Sequence, residues 1–313
     1  MRMWVSWREA THRALYGDGG FYLKERPSAH FRTSVHASPI FAEAVARLLG
    51  RVDARLGRPA RLDFVDMGAG DGRLAVGVLA AFGDDRLRVT AVEVASRPAG
   101  LPAEIEWAEE APGEITGLVV ANEWLDNVPL DVVEQTHDGP RVVLVDPETG
   151  AERLGPPLTD PADLAWLAAW WPLPRVGSRA EIGRPRDEAW QCLLGRLSRG
   201  MCVAVDYAHT LADRPDMGTL TGYRDGHAVP PVPDGTCDIT AHVALDACAR
   251  GEGLLTTQRE ALRDLGLTGA RPPLALASED PPGYLRALAR ASAEAELIDP
   301  RGLGGFGWLE QVR

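Results

Sequence analysis

Leu62-Asp63-Phe64-Val65-Asp66-Met67-Gly68-Ala69-Gly70-Asp71-Gly72 is an apolar run that ends in an acid and three glycines spaced two apart. The run has the character of a buried strand, and the glycines that of a tight turn at its carboxyl end. Glycine is needed where the backbone takes positive φ or comes within contact distance of a ligand, and three in this register strip side chains from one wall of a pocket. Leu74 to Phe82 then reads as a helix whose first N–H groups point into that pocket.

The spacing separates two cofactor classes. A dinucleotide fingerprint, G-x-G-x-x-G, requires glycine where Arg73 stands. What remains, acid-x-G-x-G-x-G, resembles the first motif of the Rossmann-like methyltransferases that bind S-adenosylmethionine. That cofactor has no pyrophosphate, so the loop cradles its amino-acid and ribose portions instead. The next apolar run, Leu87 to Val92, ends in Glu93, 21 residues beyond Gly72. This is close to the roughly 20 expected of a carboxylate that accepts from ribose hydroxyls. The competing reading is an ordinary strand-to-helix turn with a solvated Glu93. Strand, turn, helix and second acid in order favour the cofactor site, with Asp66, Gly68, Gly70, Gly72 and Glu93 as its residues.

At 313 residues and 45% hydrophobic, the chain can bury a full core, as one large domain with insertions or two small ones. A net charge of −12 and the lack of a basic stripe argue against a nucleic-acid partner. An acidic protein can favour a cationic substrate, although charge of this sign also promotes solubility. Lys24 is the only lysine; with the Ala, Gly and Pro content this suggests a GC-rich genome. Cys192, Cys202, Cys237 and Cys248 have no C-x-x-C spacing and no paired histidines, so neither a metal site nor a disulfide frame is expected, and a cytoplasmic location is. No apolar run reaches the roughly 18 residues of a membrane span, so no membrane insertion is expected. Met1 to Glu9 lacks the h-region of a signal peptide and reads as a short amphipathic helix.

Residues 1–60 precede the first core strand and include a helix from about Pro39 to Leu49, with Ser38 as N-cap and Pro39 at the first helical position. Further strands are expected at 87–93, 104–107, 118–121 and 201–205, separated mostly by helical or irregular segments, which implies a parallel sheet with crossovers. Residues 131–185 form an insertion between the fourth and fifth strands. It opens with a hairpin turning at Asp138-Gly139 and continues into Leu164 to Trp171, whose tryptophans fall at the spacing of a packed helix face. In Asp238 to Val243, alternation puts Asp238, Thr240 and His242 on one face of a strand.

Ligands of such sheets sit outside the carboxyl ends of the strands, which directs attention to Asn122-Glu123-Trp124-Leu125-Asp126 after the fourth. Methyl transfer is an in-line displacement in which the protein aligns the nucleophile, excludes water and holds a base. Glu123 and Asp126 are three apart and share a face if a helical turn begins here, a pairing suited to gripping a guanidinium. Alternatively Asn122 and Asp126 cap the next helix. Asp206 ends the fifth strand and either serves the site or caps the turn. Trp107 lies against adenine or in the core. His209 and His242 are equally readable as core histidines.

A family resemblance runs through these residues. Gly20-Phe21-Tyr22, Phe31-x-Thr33-Ser34, Asp66-x-Gly68-x-Gly70-x-Gly72, Ala121-Asn122-Glu123-x-Leu125-Asp126-x-x-Pro129, Asp206-Tyr207-x-His209, Gly218-Thr219-Leu220 and Gly235-x-x-Asp238-Ile239-Thr240-Ala241-His242 stand in the order seen in the MidA-like methyltransferases. That family includes the mitochondrial arginine methyltransferase needed for respiratory complex I assembly. The resemblance extends through Thr257-Gln258 and Leu265-Gly266. It implies a Rossmann-like class I α/β methyltransferase, with residues 1–60 an N-terminal helical extension and lid, and 61–313 the catalytic domain carrying the 131–185 insertion. It further implies S-adenosylmethionine as cofactor and a protein substrate, a respiratory-complex subunit or another arginine-containing protein. Glu123 and Asp126 are then the catalytic pair, and Asn122 and Thr33 join the cofactor-binding residues; Phe31 to Ser34 close over the cofactor. The sequence departs from the family pattern at Trp124, where Phe is more usual, at Asp71 and Arg73, and at Ala244-Leu245 after His242. These departures bear on the acceptor, and a bacterial member need not share the mitochondrial substrate. A small-molecule methyltransferase and a catalytically silent assembly factor are the alternatives.

Overall fold

The computed structural model describes residues 3–24 and 33–313; Met1, Arg2 and 25–32, with Phe31 and Arg32 of the expected lid, lie outside the described residues. Seven strands form the central sheet: β1 (Leu62–Met67), β2 (Leu87–Val92), β3 (Ile105–Ala108), β4 (Ile115–Asn122), β5 (Leu197–Asp206), β6 (Leu254–Thr257) and β7 (Gly307–Val312). Their order is β3-β2-β1-β4-β5-β7-β6. The first five are parallel, and β7 runs antiparallel to both its neighbours. β1, β4 and β5 are nearly continuous in buried residues, the signature of strands covered on both faces. Sequence reading located the first five strands and missed the last two. In β7 the buried positions include Gln311, whose amide bonds Trp190 and Ala249, so the polar residue disguises a core strand.

One face of the sheet is covered by helices Pro39–Arg55, Arg73–Phe82, Gln258–Asp264 and Pro281–Leu297, around Phe41, Leu49, Phe64 and Trp308. Ser38 caps the first of these through Ile40 N–H, with Pro39 at its start, as the sequence indicates. The helix runs on to Arg55 and packs in the same core as β1. The opposite face is covered by Arg184–Arg196 and Leu245–Ala249 around Val65, Val119 and Trp190.

A second, antiparallel sheet contains Val132–Thr136, Gly139–Val145, Glu152–Pro157 and Arg179–Glu181 from the 131–185 segment, together with Val5–Ser6. The expected hairpin is present, and Trp166 within helix Pro161–Trp170 and Trp171 just after it are buried. The amino-terminal reading needs correction: Val5-Ser6 is a strand on Gly139–Val145, and the helix begins at Trp7, where Ser6 caps it, and ends at Tyr16. Pairing with a distant strand outweighs the local periodicity there. This arrangement carries Tyr16 and Tyr22 to the carboxyl ends of β1 and β4.

The centre of the sheet is held by close backbone approach. Gly117 of β4 lies in register between Asp63 of β1 and Gly200 of β5. A Cβ on Gly117, at φ +151°, would stand 2.0 Å from Asp63 O. We therefore expect Gly117→Ala to lower unfolding free energy in urea by about 3 kcal/mol. Gly195→Ala, in helix Arg184–Arg196 with nothing within 4 Å, should instead gain about 0.5–1 kcal/mol.

Candidate active site

A cavity of about 350 Å³ opens at the carboxyl ends of β1, β2 and β4. The glycine turn, the end of β2, the residues after β4 and the amino-terminal segment each supply a wall.

The turn is built by left-handed backbone. Gly68, Gly70 and Gly72 have φ of +71°, +57° and +79°. The N–H groups of Gly68 and Ala69 both donate to Val92 O at 3.0 Å, which locks the turn to β2. A Cβ on Gly68 would meet Trp124 Cδ1 at 2.9 Å, whereas one on Gly70 would meet nothing within 4 Å and project into open space. Gly72 starts helix Arg73–Phe82 without a side-chain cap; Asp66 Oδ2 takes Ala75 N–H at 3.2 Å in its place. Asp66 also lines the cavity, and burial pushes its carboxyl up to about 7.

Glu93 lies across from the turn. Its Oε2 accepts from Gly70 N–H at 2.9 Å and its Oε1 from Val94 and Ala95 N–H. A carboxylate has about four lone-pair sites, so one on Oε2 is left for a hydroxyl. Gripping two hydroxyls would require Gly70 N–H to give way. Trp107 faces elsewhere: its Nε1 donates to Ala95 O at 2.9 Å, it packs on the core, and it does not line the cavity.

After β4 the chain turns sharply at Glu123, which has φ +52°, a left-handed conformation held by its N–H to Val205 O at 2.7 Å. Glu123 Oε1 accepts from Asn122 Nδ2 and from Ser34 N–H, each at 3.1 Å. Burial, reinforced by Asp126, raises this carboxyl to about 8. Asn122 Oδ1 is buried and unpartnered among the described residues, on the cavity wall. Thr33 also lines the cavity and caps the turn Ser34–Ala37, while His36 reaches Asp71 in the glycine turn at 3.2 Å. Ser34 Oγ is anchored on the fully buried Gln258 at 2.9 Å.

Glu123 and Asp126 do not present one face to the cavity. Only a single 3₁₀ turn, Leu125–Asn127, follows β4, and Asp126 points away into the protein. Its Oδ2 accepts from Thr240 Oγ1 at 2.6 Å, and its Oδ1 is buried without a partner among the described residues. Neither Asn122 nor Asp126 caps the turn. Asp206 does, its Oδ2 accepting from Leu125 and Asp126 N–H at 3.0 and 3.2 Å. Asp238 accepts from Tyr22 Oη at 2.8 Å and from Asn127 Nδ2 at 3.0 Å. Asp238 and Thr240 thus share the face that alternation assigned them. His242 falls beyond the strand end and stacks on Tyr207 at 5.5 Å. His209 is a core histidine, with Nδ1 2.5 Å from Arg214 Nη1 and its basicity depressed to about 3 by burial and that arginine.

Arg186 is the residue that sequence reading missed. It is 2% exposed, and its guanidinium donates to the carbonyls of Asp126, Val128, Ala241 and His242. Nothing in Arg184-Pro185-Arg186-Asp187 marks one arginine as internal.

A nucleoside-type cofactor site at the carboxyl ends of parallel strands is what this fold and cavity define. Residues 44–253 match the family described as "Putative S-adenosyl-L-methionine-dependent methyltransferase", and the chain belongs to that family. It is similar to a Burkholderia thailandensis protein described as a "likely methyl transferase" and solved bound to S-adenosyl-homocysteine. The two are 26% identical with a TM-score of 0.81, over 99% of this chain and 88% of that one. An uncharacterized Burkholderia thailandensis protein, crystallised in its native form, gives 26% identity and a TM-score of 0.80 over 99% and 87%. No curated protein matches the sequence. S-adenosyl-L-methionine is the cofactor, and the cavity fits it: Gly70 leaves open space, and the buried Asn122 Oδ1 awaits a donor.

Glu123, Asp66 and Asp238 are raised to about 8, 7 and 7, chiefly by burial. Each holds its proton more tightly folded than unfolded, so its stabilising contribution is complete below about pH 4 and lost as pH rises through its folded value. Melting temperature should therefore fall between pH 5 and 8.5 in scanning calorimetry. Asp238→Asn, which keeps an oxygen for Tyr22 and Asn127, should flatten that fall; an unchanged slope would count against a protonated Asp238.

Proposed function

We propose that the chain is a MidA-like methyltransferase of the Rossmann-like class I type that methylates arginine in a protein. The observation that carries this reading is an excess of buried acid at one end of the sheet. Asp126, Asp206 and Asp238 are at most 6% exposed and stand behind Glu123. Among the described residues, the one buried guanidinium in contact with this group, Arg186, bonds only carbonyls. Several carboxylates cannot all ionise in such surroundings without a cation. A guanidinium in the cavity supplies one, and it finds Glu123 on the wall.

Bound S-adenosylmethionine supplies an electrophilic methyl on a sulfonium. The chain's residues do the rest. Asp66, Gly68, Gly70, Gly72, Glu93, Asn122 and Thr33 hold the cofactor. Glu123 orients the acceptor nitrogen and takes its proton. Asp126 acts through Glu123, whose carboxyl it helps keep basic. Tyr16, Tyr22, Thr33, Val35 and His36 line the cavity, which supports residues 1–60, apart from the core helix Pro39–Arg55, as a cover that excludes water and 61–313 as the catalytic domain. A cytoplasmic enzyme acting on a respiratory-complex subunit is the form this reading takes. The same cover favours a second reading, a small cationic acceptor enclosed beneath it.

Two measurements test these assignments. Glu93→Ala should weaken S-adenosylhomocysteine binding in calorimetry by about 10- to 100-fold, the worth of a hydrogen bond to a charged group; equal affinity would remove the ribose assignment. Methyl-labelled cofactor in a cell lysate should place label on arginine in the high-mass fraction, with Glu123→Gln slower by at least about 100-fold. Label confined to the low-mass fraction would establish the small-acceptor reading instead.

A further inference from the structure

Glu123 uses one oxygen for both of its hydrogen bonds, from Ser34 N–H and Asn122 Nδ2. The other, Oε2, has no hydrogen-bond partner among the described residues, and the side chain lines the cavity. The groups around it are mostly acidic. Behind it stand Asp126 in the 3₁₀ turn, Asp206 at the end of β5, Asp238 on the 238–240 strand and the phenol of Tyr207. Arg186, from helix Arg184–Arg196, is the cation on that side among the described residues, and its donors go to backbone carbonyls. The cavity's other walls carry Asp66, Glu93 and Glu109 against Lys24 and His36, and His36 is bonded to Asp71. A carboxyl so placed is easily held neutral and easily ionised by an incoming positive charge.

We propose that Glu123 releases a proton when a positively charged ligand enters this cavity and keeps it when the ligand is neutral at that point. The chain then distinguishes S-adenosylmethionine from its demethylated product by charge. The two ligands differ by one methyl group and one positive charge, and the amino-acid and adenosine portions are common to both. The proton passes from Glu123 Oε2 to solvent, leaving the carboxylate that the acceptor requires. After transfer the sulfur is neutral, Glu123 takes a proton again, and the product loses its electrostatic hold. The elevation of this carboxyl to about 8 by burial agrees with its being protonated near neutral pH before the cofactor arrives. The inference rests on the reading of this cavity as the cofactor site.

The test is calorimetric binding of each ligand to the full-length protein at pH 7, in two buffers of different ionisation enthalpy. S-adenosylmethionine should release a large fraction of a proton and S-adenosylhomocysteine close to none. Between pH 6 and 8 the affinity ratio of the two should climb with pH, approaching about tenfold per unit at full coupling. Glu123→Gln, whose amide oxygen can still accept from Ser34 and Asn122, should make the two ligands alike in proton release. Equal proton release by both ligands in the unmodified protein would overturn the proposal without need of the variant. So would a difference that survives in Glu123→Gln. Failure of either ligand to bind would overturn the cavity assignment itself.

Discussion

The buried guanidinium of Arg186 is the interaction on which this end of the molecule depends. It sits at 2% exposure and reaches backbone carbonyls on both sides of the site: Asp126 and Val128 after β4, Ala241 and His242 after the 238–240 strand. Burying a guanidinium costs several kcal/mol unless its donors are satisfied and compensating charge is near. Here the carbonyls satisfy the donors, and Asp126, Asp206 and Glu181 supply the charge. Loss of the side chain would take a donor from each of these carbonyls and the positive charge from among the acids. Helix Arg184–Arg196, at the close of the long connection between β4 and β5, thereby fixes the geometry of the strand ends it joins.

That geometry is built by substitution of one group's ordinary task by another's. Gly72 cannot cap its helix, so Asp66 reaches over from β1 to do so. The turn after β4 has no acceptor of its own at its start, and Asp206 of the neighbouring strand provides one. Because Asp206 does this, Asp126 is free to turn inward to Thr240, and of the two acids only Glu123 stays on the cavity wall. The left-handed backbone at Glu123 costs on the order of 1 kcal/mol. Its N–H on β5 and its carboxylate on Ser34 hold it there.

The amino-terminal segment is tied to both halves of the cavity. His36 reaches the glycine turn through Asp71, Ser34 reaches Glu123, and Tyr22 reaches Asp238. Cofactor-side and acid-side walls are therefore both hydrogen-bonded to residues that precede β1 in the chain.

The local pattern determined the core of the fold. Apolar runs ending in an acid located β1, β2 and β5, and the apolar Leu118 to Ala121 located β4, because strands covered on both faces admit little else; the glycine spacing pointed to the cofactor because glycine alone readily takes three left-handed positions in five residues. Ser38-Pro39 located a helix start for a similarly local reason. What chain-distant partners decide was not legible. β7 hides a buried Gln311 that makes sense only beside Trp190, and Val5-Ser6 is a strand only because Gly139–Val145 lies next to it. Glu123 and Asp126, equivalent by spacing, take different surroundings in a turn that is capped by Asp206, 80 residues beyond Asp126. Arg186 reads as any surface arginine until the folded chain surrounds it with carbonyls. Sequence sets backbone conformation and apolar pattern; which polar group is buried, and against what, is set by the neighbours that folding brings to it.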